Sequence, residues 1–303
     1  MTFNSSILLY LLPFVLFCAL AEGVVMSWRQ PGSFDWKSWA CSLGDLAGRY
    51  VMLGAVYVLG SPLLALVYKH RLFDLEPTGL TTYVLLFFSL EFFYYWYHRS
   101  AHTIRWFWMN HSVHHSPNQL VLSAAYRLGW LGKLGGNMIF FTPMVFLGFE
   151  PQVVLTALSL NLLYQFWIHA AWIPKLGWLE YVLNTPSAHR VHHARNPEYL
   201  DANYGGVLIV FDRLFGTYIE EKEDVPCEYG LVTPVTTHNP IAINFMPWVG
   251  LAKDVVAARS LGEAWRYLFA PPGWRPNGQG LTTADIRRRS AMTTSLQTAT
   301  KAV

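Results

Sequence analysis

Eight of the eleven histidines in this chain stand in three clusters whose spacing matches one turn of a helix. The clusters are His98-Arg-Ser-Ala-His102, His111-Ser-Val-His114-His115 and His189-Arg-Val-His192-His193. Residues three or four apart share one helix face, so each cluster can aim two or three imidazoles at one point. If these imidazoles were buried without a shared ligand, many of their nitrogen atoms would lack a hydrogen-bond partner. Because neutral imidazole is a common metal ligand, the clusters predict a cage for two metal ions.

The remainder of the chain is hydrophobic enough to be embedded in lipid. Of the 303 residues, 53% are hydrophobic and only 14% are charged, against about 25% charged in ordinary soluble domains. The net charge of +3 is small, and no basic stripe alternates with aromatic residues, so nucleic acid is not an expected partner. The three cysteines form no CxxC pair, which argues against a disulfide framework and a thiolate metal site.

Several apolar segments approach the roughly 20 residues that a bilayer-spanning helix needs. No Lys or Arg precedes the first of them, so we interpret it as a retained helix and not as a cleaved signal peptide. The fourth segment is short and contains Gly135, Gly136 and Pro143, which is typical of a tilted or re-entrant helix. The segments are residues 7–26, 50–68, 80–97, 134–149 and 153–171. The predicted fold is an all-α integral membrane protein with four to five transmembrane or re-entrant helices and a cytoplasmic helical region that closes the histidine cage.

Basic residues predict the orientation of these segments, because Lys and Arg accumulate on the cytoplasmic side. If the N-terminus lies outside, the first basic stretch follows one membrane crossing and the second follows three, so both stretches fall on the cytoplasmic side. We interpret their side chains as membrane-flanking anchors, whereas Lys69 and Arg71 fall on the opposite side and weaken the argument. The two stretches contain Arg29, Lys37 and Arg49, and then Arg99, Arg105, Arg127 and Lys133. The prediction is a multi-pass protein with its histidine cage on the cytoplasmic side.

The chain divides into four predicted regions. Residues 1–79 are the N-terminal transmembrane helices, and residues 80–240 are a catalytic domain that contains the histidine clusters. Residues 241–276 are predicted to be an interfacial segment, because residues 241–258 are apolar with late charged residues. Residues 277–303 are rich in Thr, Ser and Arg, which predicts a poorly ordered tail.

A ninth histidine has an informative context. Asn161, Gln165 and His169 are spaced by four and form a polar stripe on an otherwise apolar helix. Polar groups in such a helix usually face a bundle interior, so His169 is predicted to be a ninth ligand. The alternative is hydrogen bonding between helices, which is common for Asn and Gln. The isolated His70 and His238 are predicted not to bind metal.

Three acidic or amide residues are predicted to support the cage. Glu91 precedes His98 by seven residues and lies on the same helix face, so it is expected to accept an N–H from a ligand imidazole. The alternative is a protonated Glu bonded to a neighbouring helix. Asp201 and Asn203 follow the third cluster and are candidates for the same supporting role, or for forming a turn.

The residue types leave the metal open. Imidazole sites suit zinc, iron, copper or nickel, and the HExxH pattern of zinc hydrolases is absent. Eight or nine histidines that share two ions suggest redox chemistry, but their spacing does not distinguish iron from zinc.

The sequence around the clusters resembles the fatty acid hydroxylase/sterol desaturase superfamily of membrane di-iron enzymes. The resemblance runs from about Leu80 to Trp274. It is carried by residues 96–102 (WYHRSAH), 108–116 (WMNHSVHHS), 185–193 (TPSAHRVHH), 203–206 (NYGG) and 212–217 (DRLFGT). Residues 229–234 (YGLVTP) and 271–274 (PPGW) further resemble the branch that contains alkylglycerol monooxygenase and bacterial relatives.

This resemblance implies two irons, or zinc in a purified form, bound by the nine histidines. It implies a monooxygenase that uses dioxygen to hydroxylate a lipid of the fatty acyl, alkyl-lipid, sterol or carotenoid type, taken from the bilayer. Because the chain has no His-Pro-Gly-Gly haem motif and no GxGxxG fingerprint, an external electron donor is implied, either a separate reductase or a reduced pterin. Glu91, Asn161, Gln165, Asp201 and Asn203 are then candidates to support the irons or line the substrate channel.

Two alternatives to hydroxylation stay open at this point. A desaturase uses the same iron–oxygen chemistry, and only the mass of the product separates the two reactions. A metal transporter or storage protein would also need clustered histidines, but a transporter is expected to place its ligands near the bilayer midplane. Here the clusters fall at helix ends and in the cytoplasmic region.

Overall fold

The chain is described by a computed structural model that covers residues 6–301, with side chains described outside residues 6–10, 53–61 and 294–301. The described residues form eleven α-helices and several 3₁₀ turns, and their extended pairing is limited to the isolated bridges 183–208 and 194–229. The helices in chain order are α1 Ser6–Arg29, α2 Trp36–Lys69, α3 Leu80–Thr103, α4 Arg105–His111, α5 Thr142–Leu147, α6 Pro151–Ile168, α7 Pro186–His193, α8 Val210–Phe215, α9 Pro240–Val256, α10 Leu261–Phe269 and α11 Thr283–Lys301. The architecture is all-helical.

The fourth apolar segment is a broken helix. It consists of a 3₁₀ turn at Asn137–Phe141 followed by α5. At its end, Gly148 has a φ of 133°, and a Cβ there would lie 2.2 Å from the Phe73 carbonyl oxygen. Only glycine fits so close an approach. Pro151 then opens α6 at a position where its missing N–H costs nothing.

The main apolar core lies between the long helices α2, α3 and α6 and the short α5. These elements bring their apolar faces together at one end of the histidine region. The fully buried members include Leu64, Leu86, Leu90, Tyr94, Phe141, Met144, Val145, Phe149 and Val154. This packing fixes α3 against α6, the two helices that present His98, His102 and His169.

Helix α1 is the one candidate membrane span among the described residues by length and apolar composition, over Leu11–Arg29. It is attached to the rest of the fold through Glu22. One carboxylate oxygen accepts the backbone N–H of Leu122 at 2.7 Å, and the other accepts the indole N–H of Trp172 at 2.9 Å. The same helix exposes Phe14, Phe17 and Val24.

Arg127 is buried inside the protein, where the sequence predicted a membrane-flanking anchor. Its guanidinium donates to the hydroxyls of Ser42 and Ser116 at 3.1 Å and to the Ser38 carbonyl at 2.6 Å. The prediction failed because charge counting along the chain ignores hydrogen-bond acceptors that a distant helix supplies. Arg127 therefore holds the loop after the second histidine cluster against α2.

The C-terminal region differs from the expected poorly ordered tail. Helix α11 occupies most of it, and residues 302–303 lie outside the described part. Arg287 donates to the carbonyls of Pro197 and Leu200, and the Thr283 hydroxyl donates to Asp201 at 2.5 Å. Composition alone predicted disorder because it contains no information on these partners, which lie about 80 to 90 residues away.

Candidate metal centre

The predicted histidines converge from four parts of the chain. Helix α3 supplies His98 and His102 one turn apart, and α4 ends at His111. Helix α7 carries the whole third cluster, capped by the Thr185 side chain and opened by Pro186. The nine side chains are 1–8% exposed. They comprise His98, His102, His111, His114, His115, His169, His189, His192 and His193.

The nine histidines separate into two groups in which the potential ligand nitrogens lie within 4.8 Å of one another. The five-histidine group contains His98, His102, His111, His115 and His192, and the four-histidine group contains His114, His169, His189 and His193. The groups are adjacent, because the rings of His115 and His193 stack with their centroids 4.3 Å apart. Each group has enough imidazoles to hold one ion.

Each HxxHH cluster is divided between the two groups, although helical spacing suggested that its members could meet at one point. In the second cluster, His111 and His115 enter the five-histidine group and His114 enters the four-histidine group. The third cluster does the reverse, since His192 alone enters the five-histidine group. Residues four apart remain together, whereas the residue three positions on diverges from them. Two such clusters that face each other can therefore complete two adjacent sites.

The hydrogen bonds of the rings fit a bound cation. His114 Nδ1 lies 3.2 Å from the Arg127 carbonyl and His169 Nδ1 lies 2.7 Å from the Gln165 carbonyl, so both must donate. Their Nε2 atoms then carry lone pairs, yet these two atoms face each other at 3.3 Å. Two lone pairs repel at this distance unless a cation lies between them. Adjacent nitrogens bound to one ion at about 2.1 Å are about 3 Å apart, which is close to this value.

The five-histidine group has the same pattern. His98 and His192 place Nδ1 at 2.8 and 2.9 Å from the carbonyls of Tyr204 and Ala202. The buried Nε2 atoms of His102 and His192 have no hydrogen-bond partner among the described residues. A buried polar atom without a partner costs about 1–3 kcal/mol. A shared metal would remove this cost, so the residues present fit a metal ion.

Burial keeps these imidazoles in the form that binds metal. It lowers the pKa of His114 to about 4 and places the pKa of His111 and His192 well below the ordinary value for histidine. Their rings are therefore neutral at physiological pH, and a neutral ring offers one nitrogen lone pair. His70 and His238 are exposed and belong to neither group.

Glu91 has a different environment from the one predicted. Its carboxylate accepts the backbone N–H groups of Val207 and Leu208 at 2.9 and 2.8 Å, and the Asn161 amide at 2.5 Å. None of the described contacts joins it to an imidazole. Sequence spacing placed Glu91 on the histidine face of α3. However, two helical turns separate it from His98, and the backbone N–H groups of the 207–208 loop lie within hydrogen-bond distance instead. Glu91 therefore holds this loop against α3.

Asn161 and Gln165 extend the polar chain that begins at Glu91. The Gln165 amide donates to Asn161 Oδ1 at 2.6 Å, and the Tyr94 hydroxyl donates to Gln165 Oε1 at 3.0 Å. This is the interhelical bonding that the sequence left as an alternative, here between α3 and α6. Since the Gln165 carbonyl accepts from His169, the chain also orients one imidazole.

Asp201 and Asn203 lie in left-handed turns, with φ values of 53° and 58°. Asp201 Oδ1 lies 3.4 Å from His102 Nδ1, so it is the predicted acidic residue that does contact an imidazole. Asn203 instead donates to the carbonyls of Ala188 and Ile219. It positions the start of the third cluster through the Ala188 backbone, and it contacts no ring.

Replacing Asp201 by asparagine is expected to weaken metal binding at the five-histidine group by about 10- to 100-fold, because a carboxylate that accepts from a ligand imidazole raises its basicity. Competition with a chelator, followed by elemental analysis, measures the change. Asp224→Asn, at an exposed position, is the matched control. Equal affinity in the two variants would show that the 3.4 Å contact does not support His102.

Two further polar anchors were missed by sequence reasoning. Arg190, within the third cluster, donates to both carboxylate oxygens of Glu221 at 2.7 and 2.6 Å and also binds the carbonyls of Ala171 and Ile173. Asp212 accepts from the backbone N–H groups of Tyr204 and Gly205, and burial raises its pKa to about 6. The Asp212–Thr217 motif was the only signal for the second anchor. No local pattern pairs Arg190 with Glu221.

Two cavities reach the histidines from different sides. The first is bounded by His98, His111, His114 and His169 and has mostly apolar walls that include Met138, Phe141, Leu158 and Leu162. The second touches His102, His115 and His192 and has a mixed wall, in which Gln279 and Thr283 lie beside apolar residues such as Leu231 and Ile286. The centre is therefore accessible from two sides, of which the second is the more polar.

An all-helical chain that buries nine histidines in two adjacent groups is a protein with a histidine-rich metal centre.

Residues 83–217 match the family described as fatty acid hydroxylase. Alkylglycerol monooxygenase of Xenopus tropicalis is 37% identical over 268 residues, which cover 86% of this chain and 58% of the relative. Alkylglycerol monooxygenase of Homo sapiens is 37% identical over 271 residues, covering 87% and 59%. Ornithine lipid hydroxylase OlsE of Rhizobium tropici is 29% identical over 145 residues, covering 48% and 44%.

The chain belongs to the fatty acid hydroxylase superfamily, which confirms the resemblance found in the sequence. It spans about three fifths of the length of the curated relatives it matches over most of its own length. No solved structure matches it significantly. The matched residues 83–217 contain all nine buried histidines, whereas parts of both cavity walls lie outside this range.

Proposed function

We propose that this protein is an integral-membrane monooxygenase that hydroxylates a lipid with dioxygen. The observation that carries the proposal is the pair of adjacent histidine groups with an apolar cavity at its edge, in a chain that belongs to a family of fatty acid hydroxylases. Similarity to alkylglycerol monooxygenases and to an ornithine lipid hydroxylase supports a lipid substrate. In such a reaction, one oxygen atom enters a C–H bond and the other leaves as water.

The nine histidines are proposed to hold two irons, one in each group. Bound there, the irons would supply dioxygen activation. The chain's own contribution is positioning. Nδ1–H donation to the carbonyls of Tyr204, Arg127 and Gln165 fixes each imidazole with Nε2 directed inward. Fixed ligands reduce the reorganisation that a change of iron oxidation state would otherwise require.

The apolar cavity is the proposed substrate site. Its walls of Met138, Phe141, Leu158 and Leu162 exclude water from the carbon that reacts. Removing an alkyl chain from water contributes about 0.8 kcal/mol for each CH₂ group. The chain already has this gain in the lipid phase, so it keeps the gain in the cavity only if the cavity excludes water equally well. Because His98 and His169 both line this cavity, an alkyl chain bound there would reach the five-histidine group and the four-histidine group.

The second, more polar cavity is the proposed approach for the external electron donor, either a small reduced cofactor or a reductase. Hydroxylation consumes two electrons from the donor and two protons for each dioxygen. The cavity reaches the edge of the five-histidine group at His102 and His192 and is lined by polar side chains such as Gln279 and Thr283. Reductant and substrate would then approach from different sides and would not compete.

A multi-pass topology with the cage on the cytoplasmic side is part of the proposal. It is supported by α1 and by the outward apolar faces of other long helices, such as Val84 and Phe88 on α3 and Leu160 on α6. The basic residues Arg29, at the end of α1, and Lys37, at the start of α2, flank the connection between these helices. Labelling of single cysteines introduced beside His70 and near Lys37 would test this orientation.

Turnover in ¹⁸O₂ tests the reaction. The purified protein, reconstituted with iron and a chemical reductant, is incubated with a membrane lipid extract, and the products are analysed by mass spectrometry. We expect a product that contains one labelled oxygen atom. A product without the label that has lost two hydrogens would instead identify a desaturase. No oxygen-dependent product from any lipid fraction would contradict the proposal.

A further inference from the structure

Two basic side chains line the same cavity as the histidines. Arg49 and Lys133 both contribute to its wall, together with the apolar residues and the four histidines described above. Lys133 is exposed and Arg49 is partly exposed, whereas the histidines are buried. The cavity therefore runs from a basic opening at the surface to the edge of the metal centre.

Neither cation is paired with an acidic side chain. Arg49 and Lys133 form no ion pair or side-chain hydrogen bond with any described residue, whereas Arg105 and Arg127 have partners. Arg105 contacts Asp254, and Arg127 is surrounded by hydroxyls and carbonyls. All Asp and Glu side chains of the chain lie in its described part, and none lines this cavity. The opening thus has two positive charges and no acidic side chain in its wall.

The two charges are close enough to affect each other. Although much of the Lys133 side chain is exposed, desolvation of its ammonium group, with a smaller contribution from the Arg49 charge, lowers the pKa of Lys133. Asp45 is the nearest acidic influence on Arg49, but its carboxylate is occupied by the Asn244 amide and the Leu128 N–H. Holding like charges together costs free energy unless an anion is bound between them.

The cavity wall holds these cations in place. Gly48, next to Arg49, lets the Trp130 ring lie against α2, since a Cβ there would be 2.0 Å from the ring. The indole donates to the Asp45 carbonyl at 2.9 Å, and the Trp130 backbone N–H donates to Asn244 at 2.8 Å. This clamps the loop that leads to Lys133 beside the helix that carries Arg49.

We propose that Arg49 and Lys133 bind the anionic headgroup of the substrate, a carboxylate or a phosphate, while its alkyl chain extends along the apolar wall toward the histidines. This inference rests on the proposed function, because it assigns the substrate class to the same cavity. The substrate is then an anionic amphiphile, and the distance from its headgroup to the metal centre selects which carbon reacts. Asn110 Oδ1, a buried acceptor without a partner in the described residues, lines the cavity and can receive a substrate hydroxyl.

A different explanation assigns both side chains to the membrane surface, where Lys and Arg commonly contact lipid headgroups. That explanation requires only proximity to the bilayer. It gives no reason for the two cations to share a cavity with His98 and His169. Binding in an uncharged detergent separates the two explanations, because no anionic bilayer is present.

Equilibrium binding tests the proposal without any need for turnover. Radiolabelled hexadecanoate, hexadecyl phosphate and hexadecan-1-ol are bound to the purified full chain in a maltoside detergent. These probes share one alkyl chain and differ in headgroup charge. We expect at least one anionic probe to bind about 10-fold more tightly than the alcohol, since a charge-assisted contact is lost with the neutral headgroup.

The double variant Arg49→Gln/Lys133→Gln is expected to lose this preference and to bind the alcohol as before. Lys253→Gln/Arg259→Gln removes the same charge at exposed positions outside this cavity and is expected to keep it. Melting temperatures verify that both variants are folded. No preference in the native protein, or a preference that survives in the first variant, would overturn the proposal. Failure of the ¹⁸O₂ experiment would overturn the reaction but would leave this binding result interpretable.

Discussion

Replacing His192 by alanine is expected to abolish oxygen-dependent turnover, with a loss of at least about 1000-fold. His192 lies in the five-histidine group, its Nδ1 is fixed on the Ala202 carbonyl, and its Nε2 is buried without a partner. Removing the ring leaves a buried gap where one metal ligand is proposed. Turnover with ¹⁸O₂ and the number of metal ions per chain are the two measurements.

The metal count makes this test specific. We expect His192→Ala to lose one of the two ions, and His114→Ala to lose the other, since these residues belong to different groups. His70→Ala and His238→Ala change exposed histidines and should retain both ions and full turnover. Full activity in His192→Ala or His114→Ala would refute the metal centre as the site of the reaction.

Replacing Glu91 by leucine is expected to lower the free energy of unfolding by roughly 3–5 kcal/mol, which corresponds to a fall in melting temperature of about 5–8 °C for a chain of this length. The change leaves two buried backbone N–H groups and one amide, on Val207, Leu208 and Asn161, without their acceptor. Thermal unfolding measured by circular dichroism gives the size of the effect.

Glu91→Gln is a milder variant, because its amide oxygen can still accept some of these hydrogen bonds. We expect a smaller loss of stability, about 1–2 kcal/mol, with both metal ions retained. Glu150→Gln, at an exposed position, is the control for the loss of one negative charge. An unchanged melting temperature with loss of metal would instead restore the idea that Glu91 supports an imidazole.

The two cavities connect the proposed reaction to the membrane. A lipid with an anionic headgroup would keep that group near the basic opening and place only its chain in the dry interior. The more polar cavity on the other side, which is lined in part by Gln279 and Thr283, would admit the reductant. This separation keeps water away from the reacting carbon while electrons still reach the five-histidine group.

The sequence by itself identified the nine histidines of the centre through local periodicity. Spacings of three and four within helices are set by backbone geometry, so eight histidines and the polar stripe ending at His169 could be identified without a fold. The length of the apolar segments, and not this periodicity, predicted the long helices α1, α3 and α6. The family assignment also followed from short segments around these clusters.

The tertiary structure decided everything that depends on contacts between distant residues. It divided each HxxHH cluster between two groups, and it fixed His98 on a carbonyl 106 residues away. It gave Glu91 the backbone donors at 207–208 in place of an imidazole, buried Arg127, and left Arg49 and Lys133 unpaired in one cavity. The physical reason is that a buried polar group is satisfied by whichever partner packing brings within reach, and sequence spacing contains no information about that partner.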